Sequence, residues 1–237
     1  MNSPQKLMFS QSIYAASSVR KEILGALRIL DDGRKFRYSR NGGVALGAGL
    51  PTIAANAVAN HVSMATAANV AIGSTQVTVT LGATAATADQ YAGGYLGIDE
   101  GAGLGTYYKI ESHPAADASD PCLITLAEPI RVALTAAATK TTLCYNECDL
   151  VVVCTGVADQ PVGVPLIAVP ISYYHWEQTG GTHSAVLTSG TPALGIALSM
   201  GAGLLLAMNA VTDPCVGIVA QTPGRANEYT PVRLLLD

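Results

Sequence analysis

A stretch in the last third of the chain holds the side chains best suited to nucleophilic chemistry. His175 and His183 stand on either side of Gly180-Gly181, and Ser184 follows the second histidine directly. A serine activated by a histidine also needs an orienting acid and a sharp, exposed turn at the serine. The sequence offers neither, so it favours structural or interface histidines, and we expect no enzymatic activity.

Three carboxylates form a second candidate group. Asp99, Glu100 and Glu111 flank one Gly-rich turn. Paired carboxylates can perform acid–base catalysis in a cleft, and regularly spaced oxygen ligands can bind Ca²⁺. The spacing here matches no dedicated calcium loop, and an acidic turn rich in glycine is typical of a solvated loop. The solvated loop is the favoured interpretation, with calcium binding and catalysis as alternatives.

Five cysteines could support metal or redox chemistry. They lie at positions 122, 144, 148, 154 and 215, and the N-terminal MNSPQKLMFSQS lacks the apolar core of a secretory signal. An odd count without such a signal argues against a disulfide framework. Cys144, Cys148 and Cys154 lack the paired spacing of a structural zinc site and have no histidine nearby. The sequence therefore predicts buried, reduced thiols, with no metal and no cofactor.

Charged side chains are scarce. They make up 13% of the residues and hydrophobic ones 49%, whereas charged residues are about 25% of a typical soluble domain. A chain with so few charges either enters a membrane or buries much of its surface against other chains. The one membrane candidate, residues 193–211, has no flanking cluster of Lys or Arg, and its glycines are spaced like turn residues. We therefore expect buried strands there and no membrane.

The charges that exist are unevenly distributed. The first 40 residues carry eight Lys or Arg and three Asp or Glu, a net charge of +5, and the remainder carries −9, which together give −4. A basic segment on an acidic body indicates a polarised binding surface. A solvated basic face explains the same pattern, and the sequence leaves the two interpretations open.

An arm and a hairpin are predicted for the basic segment. Residues 1–18 are polar with scattered apolar anchors, which is typical of an extended arm that gains order by lying on a surface. Residues 27–30 and 35–38 alternate on either side of Asp31-Asp32-Gly33, where glycine supplies the positive φ of a hairpin turn. A free tail and a helix with apolar residues at helical spacing are the alternatives.

Aromatic residues mark the strand that would position the two histidines. Ile171, Tyr173 and His175 alternate with Ser172, Tyr174 and Trp176, a pattern typical of a strand. The Gly180-Gly181 pair then predicts a turn, and residues 185–187 resume the pattern, so the stretch is interpreted as a second hairpin.

Short alternating runs separated by turn glycines recur along the rest of the chain. They predict a mainly β fold, a β-barrel or β-sandwich with an extended N-terminal arm and hairpin and little helix. We divide the chain into residues 1–60, which hold the arm, the hairpin and a Gly/Ala-rich connector, and a β domain at 61–237. Within that domain, residues 75–150 are a candidate sub-domain.

Three segments together resemble a known family. The run from Ala168 to Gly181, with Tyr-x-Trp-x-Gln-Thr-Gly-Gly at its end, resembles a signature of small head-associated structural proteins of tailed bacteriophages, which coat or cement the capsid. The Asp-Gly hairpin followed by Phe36-x-Tyr38 is similar to the opening of those proteins. The strands between about residues 91 and 130, joined by an acidic Gly-rich turn, resemble their middle section.

This resemblance implies a non-enzymatic virion structural protein, made in the cytoplasm of the bacterial host. It would bind the outside of a tailed-phage capsid and cement neighbouring major capsid protein subunits. Its partners would be the major capsid protein and further copies of itself, a trimer in preference to a dimer, with no nucleic acid. The alternative is a virion-surface glycan-binding module, or a tail or adaptor structural module.

Seven residues of the arm and hairpin are the expected capsid contacts: Phe9, Tyr14, Arg28, Arg34, Arg37, Tyr38 and Arg40. Four on the aromatic strand are expected in an oligomer interface or the core: Tyr173, Tyr174, His175 and Trp176.

Overall fold

The computed structural model describes residues 9–156, 159–210 and 212–237. The chain is nearly all β, with 40% strand and 1% helix, which confirms the mainly β prediction. It divides into two compact units. One comprises Met1–Ala55 and Glu147–Asp237 and is called the discontinuous unit below. The other, Asn56–Asn146, is called the inserted unit.

Sixteen strands and one short 3-10 helix at Ala59–His61 make up the described secondary structure. In chain order the strands are β1 (Leu27–Ile29), β2 (Lys35–Arg40), β3 (Thr52–Ile53), β4 (Met64–Ala65), β5 (Gln76–Thr80), β6 (Tyr95–Glu100), β7 (Tyr107–Ser112), β8 (Pro121–Leu126), β9 (Lys140–Cys144), β10 (Val152–Val153), β11 (Pro161–Pro165), β12 (Tyr174–Leu187), β13 (Ala197–Gly201), β14 (Leu204–Ala207), β15 (Gly217–Val219) and β16 (Tyr229–Leu235).

The inserted unit is an antiparallel six-stranded sheet that curls into a nearly closed barrel. Its strand order is β4-β9-β6-β7-β8-β5, and a bridge between Thr66 and Val79 brings the two ends of the sheet together. Alternate residues of each strand point inward, because a strand places successive side chains on opposite faces. The inward residues are apolar and form one core, which includes Val77, Leu96, Ile110, Ile124 and Leu143.

The discontinuous unit is a curled, ten-stranded antiparallel sheet that forms a half-barrel. Its main path is β10-β3-β11-β12-β16-β15-β13-β14, and the β1–β2 hairpin joins it because β2 pairs with β12. The predicted hairpin at residues 27–38 is confirmed, with Leu27 opposite Arg37, Ile29 opposite Lys35 and Gly33 at φ +82°. The membrane candidate contributes β13 and β14, and no helix in the described ranges is long and apolar enough to span a membrane.

The predicted hairpin turn at Gly180-Gly181 is wrong, because β12 runs through both glycines as one strand of 14 residues. The register shifts on either side of them, which marks β-bulges. A Cβ on Gly181 would lie 2.9 Å from the Cα of Arg34, and the glycine has φ +86°. The two glycines therefore admit the tip of the β1–β2 hairpin rather than reverse the chain.

This continuous strand also separates the two histidines that a turn would have brought together. Positions 175 and 183 both lie on β12, eight residues apart. At the rise of an extended strand, eight residues span about 26 Å. The backbone therefore does not bring them face to face. The side chains at 183 and 184 lie outside the described structure.

Candidate functional site at the N-terminal hairpin

The N-terminal arm lies on its own sheet from residue 9 onward. Gln11 is buried, and its side-chain amide donates hydrogen bonds to the carbonyl oxygens of Ala15 (2.7 Å) and Tyr174 (2.9 Å). Its amide oxygen accepts a hydrogen bond from the hydroxyl of Tyr38 at 2.7 Å. Ser17 also forms an antiparallel bridge with Tyr174. One glutamine thus ties the arm to β2 and to the start of β12.

An aromatic cluster forms where the arm crosses the sheet. Trp176 and Tyr38 are fully buried, with ring centroids 5.1 Å apart. Phe9 meets Trp176 edge to face at 4.9 Å, and Tyr174 stacks on Tyr38 at 6.1 Å. The indole N–H of Trp176 donates to the carbonyl oxygen of Gln11 at 3.1 Å. Because this cluster encloses Trp176, the indole has no exposed face for a ligand.

Arg28 covers this cluster from the edge strand β1. Its guanidinium lies 5.4 Å from the ring centroid of Phe9 and 5.7 Å from that of Trp176, within the range of cation–π contacts. One of its terminal nitrogens also donates to the carbonyl oxygen of Gln11 at 2.9 Å. The side chain therefore fixes β1 and the arm against the same aromatic surface.

The other predicted arginines are engaged in contacts within the unit. Arg37 forms a two-pronged ion pair with Asp237 (3.0 and 2.7 Å), and this hydrogen bonding lowers the pKa of Asp237. Arg40 forms a similar pair with Asp149 at 2.5 and 2.9 Å. Arg34 pairs with Asp32 and also lies over Phe36, with its guanidinium 5.7 Å from the ring centroid. Asp237 and Asp149 lie outside the basic segment, so two of these pairs compensate part of its net charge within the unit.

His175 belongs to a polar group inside the unit. Its Nε2 lies 2.9 Å from Oε1 of Glu177, and both side chains are completely buried. The same carboxylate oxygen accepts a hydrogen bond from the Thr52 hydroxyl at 3.0 Å, and the other accepts a longer one from Ser39 at 3.4 Å. This group joins β2, β3 and β12. Because it is shielded from solvent, its chemistry is that of a structural polar core.

Two of the eleven predicted residues remain to be placed. Tyr14 is exposed on the arm. Tyr173 is partly buried and packs with the apolar cluster around Leu46 and Val169. Of the eleven predicted residues, Tyr14 alone is exposed, three are buried (Tyr38, His175 and Trp176) and the other seven are partly buried. Its role at a capsid stays a prediction.

The outer edge of β1 is the feature that the sequence analysis missed. Among the described strands, β1 pairs with β2 alone. Tyr38 N–H donates to Ala26 O, and Leu30 N–H donates to Arg34 O. Backbone groups alternate in direction along a strand, so those of Leu27 and Ile29 point away from β2. Within the described structure, this leaves β1 with a free edge of two backbone donors and two backbone acceptors.

Exposed apolar side chains surround that edge. Leu27 and Ile29 stand on one face of β1 at 42% and 59% exposure, and Val19 and Ile23 precede them at 67% and 72%. An unpaired edge with apolar side chains is a template for pairing with another chain. The alternation within Leu27-Arg28-Ile29 is the sequence signal that could have pointed to these exposed side chains. The edge position of β1 comes from the structure.

The carboxylates and the cysteines are the remaining candidate groups. Among the described residues, no three His, Cys, Asp or Glu side chains are arranged to hold a metal ion. Asp99, Glu100 and Glu111 are exposed on the inserted unit. None of the five cysteines, all of which lie in the described ranges, forms a disulfide bond, and burial raises the pKa of Cys148 to about 12.

Comparisons of this chain with protein-family models, with curated proteins and with solved structures gave no match.

Proposed function

We propose that this protein is a non-enzymatic virion structural protein that binds the outside of a tailed-phage capsid and cements neighbouring major capsid protein subunits. The capsid assignment depends on the resemblance carried by residues 168–181, the Asp-Gly hairpin and the strands near 91–130. The observation that carries the binding mode is the free edge of β1 with its exposed apolar side chains.

The binding mode follows from the hydrogen-bonding groups of that edge. An extended segment of a capsid subunit adds to the sheet beside β1 and pairs with the backbone groups of Leu27 and Ile29. The two side chains, about 7 Å apart on one face, enter apolar depressions on that subunit. Backbone pairing supplies affinity, and the paired side chains supply register.

The docked arm makes the edge rigid before a partner arrives. Arg28 is held over Phe9 and Trp176, and Gln11 ties the arm to Tyr38 and Tyr174. A pre-organised edge loses less conformational entropy on binding than a flexible tail would. The arm thus supports the contact strand, and β1 makes the contact.

Repetition on a symmetric shell makes a small contact sufficient. A strand three residues long buries little area, so a single contact is weak. Linked copies on a lattice bind with an effective concentration that raises the overall avidity. Self-association, as a trimer in preference to a dimer, would supply that linkage.

The test is co-sedimentation of the purified protein with mature heads and with unexpanded procapsids, both stripped of this protein. We expect saturable binding to mature heads. Replacing both edge side chains by lysine, Leu27→Lys with Ile29→Lys, should weaken binding by about 100-fold or more, because each apolar anchor contributes about 1.5–3 kcal/mol when buried.

Leu123→Lys is the matched control, because Leu123 is a partly exposed leucine on a strand of the inserted unit. It should bind heads like the unaltered chain. Absence of binding to heads and procapsids alike would refute the capsid assignment. Binding that survives the double lysine variant would refute the role of the β1 edge while leaving the capsid assignment standing.

A further inference from the structure

Two exposed tyrosines lie on the outer face of the inserted unit. Tyr95 on β6 is 44% exposed and Tyr107 on β7 is 60% exposed, while their neighbours Leu96 and Tyr108 point into the core. The register places Tyr107 opposite Gly97 and Tyr95 opposite Lys109. The two rings therefore stand diagonally across adjacent strands on one solvent-facing surface.

The glycine between them determines how the second ring is presented. A Cβ on Gly97 would lie 2.8 Å from Cε1 of Tyr107, so the ring lies directly over that backbone position. Because Gly97 has no side chain, the ring can lie against the β6 backbone while the residue remains 60% exposed. Tyr107 is thus supported from below and open to solvent above.

Polar groups border the two rings. Thr142 on β9 stands opposite Gly97, and its hydroxyl donates a hydrogen bond to the carboxylate of Asp99. Lys109 is exposed beside Tyr95. The surface therefore combines two aromatic rings with a carboxylate acceptor, a hydroxyl and an ammonium donor.

We infer that this tyrosine surface, formed by Tyr95, Gly97 and Tyr107 with Asp99, Lys109 and Thr142, binds a neutral oligosaccharide. A sugar ring has a C–H face that packs on an aromatic ring and a rim of hydroxyls that both donate and accept hydrogen bonds. Asp99 accepts from such hydroxyls, and Lys109 donates to them.

Charge decides between a sugar and a nucleic acid, since bases also stack on exposed aromatic rings. By strand alternation Asp99 and Glu111 share the face of Tyr95 and Tyr107, Glu100 ends β6, and all three carboxylates are exposed. These carboxylates repel a phosphate backbone, whose binding depends on several Lys or Arg contacts. A neutral oligosaccharide brings no such penalty. The inference is independent of the proposed capsid contact, which lies on the β1 edge.

The experiment titrates the full chain with maltohexaose, cellohexaose and chitohexaose, followed by calorimetry and by saturation-transfer NMR on the sugar protons. An oligothymidylate is the polyanion probe. We expect at least one hexaose to bind and the oligothymidylate not to bind. Tyr107→Leu, which keeps an apolar cover over Gly97 but lacks the aromatic face, should weaken that binding by about tenfold.

Two further variants make the result specific. Tyr107→Phe should retain sugar binding, because it keeps the ring. Tyr229→Ala removes an exposed tyrosine of the discontinuous unit and should have no effect. Failure of all three hexaoses to bind, equal binding by Tyr107→Leu, or binding of the oligothymidylate in their place would each overturn the inference. A melting temperature measured for each variant shows that the fold is retained.

Discussion

The two units of this chain treat the edges of their β-sheets differently. In the inserted unit the first and last strands of the sheet meet through the Thr66–Val79 bridge, so the barrel is nearly closed. In the discontinuous unit the sheet remains a half-barrel, and among the described strands β1 has a neighbour on one side only. Closure removes unpaired backbone groups, whereas an open edge offers them to another chain. Among the described strands, the backbone groups left open for pairing at β1 therefore belong to the discontinuous unit.

The two units also differ in how completely their buried polar groups are hydrogen-bonded. In the inserted unit both buried histidines have partners on both ring nitrogens: His61 with Tyr91 and Thr84, and His113 with the backbone of Tyr91 and Pro114. In the discontinuous unit several buried polar atoms have no hydrogen-bond partner among the described residues, namely Asn41 Oδ1, His175 Nδ1, Gln178 Oε1 and Ser199 Oγ. Incomplete pairing of buried polar groups lowers stability. We therefore expect the discontinuous unit to be the easier one to unfold.

Two native side chains can report the unfolding of each unit independently. Trp176 is the only tryptophan and is buried in the discontinuous unit, so its fluorescence reports unfolding there. Cys122 is buried in the core of the inserted unit, and burial raises the pKa of its thiol. Its rate of alkylation, measured on its own peptide by mass spectrometry, reports opening of that unit.

The largest effect is expected from Glu177→Ala. Removing the carboxylate leaves His175 and Thr52 without their shared acceptor and opens a cavity, which should lower the unfolding free energy by about 3–5 kcal/mol. The midpoint of the Trp176 transition in urea should fall, while alkylation of Cys122 should keep its rate.

Glu177→Gln is the control for that change. Its amide oxygen can still accept from Thr52, so the loss should be smaller, about 1–2 kcal/mol. If Glu177→Ala changed the Trp176 transition and the Cys122 alkylation rate to the same extent, the two units would unfold together. That result would contradict the expected difference in their stabilities.

A smaller destabilisation, this time of the inserted unit, is expected from Tyr91→Phe. The Tyr91 hydroxyl meets Nδ1 of His61 at 2.5 Å and accepts from the side-chain amide of Gln90 at 3.3 Å. Removing it leaves the buried Nδ1 of His61 without a partner, whereas the Gln90 amide keeps its hydrogen bond to the Tyr145 hydroxyl at 2.7 Å. The loss should cost about 2 kcal/mol. Alkylation of Cys122 should accelerate, and the Trp176 transition should keep its midpoint. Tyr107→Phe, which alters an exposed hydroxyl on the same unit, is the control and should change neither probe.

The sequence predicted elements whose cause is local. Gly33 follows Asp31-Asp32 between alternating runs, and that turn chemistry alone specifies the first hairpin. Gly180-Gly181 carries a similar local signal, yet its glycines serve the close approach of Arg34 from another strand. No local pattern distinguishes a glycine pair that turns a chain from one that admits a neighbour.

The candidate site was predictable from the sequence only where it depends on local alternation. Alternation and edge position place Leu27 and Ile29 outward, which follows from the sequence once β1 is known to be an edge strand. The enclosure of Trp176 depends on a hydrogen bond to Gln11, 165 positions away along the chain. Such a contact follows from the tertiary fold, so aromatic residues predicted as an interface or core could not be assigned to either from sequence.

The smallest effect is expected at the ion pair between Arg37 and Asp237, which ties β2 to the end of the discontinuous unit. Hydrogen bonding to Arg37 lowers the pKa of Asp237 below its unfolded value, so the pair contributes stability above that unfolded pKa. The contribution is lost as the pH falls through the lower, folded pKa. Because both side chains are partly exposed, Asp237→Asn should cost only about 0.3–1 kcal/mol at neutral pH.

The pH dependence distinguishes this origin from lost packing. The difference in unfolding free energy between the unaltered chain and Asp237→Asn, measured by Trp176 fluorescence, should shrink as the pH falls from about 5 to about 2. Glu128→Gln removes an exposed ion pair with Arg131 in the inserted unit and should leave the Trp176 transition unchanged at every pH. A difference that stays constant across that range would assign the effect of Asp237 to contacts other than its charge.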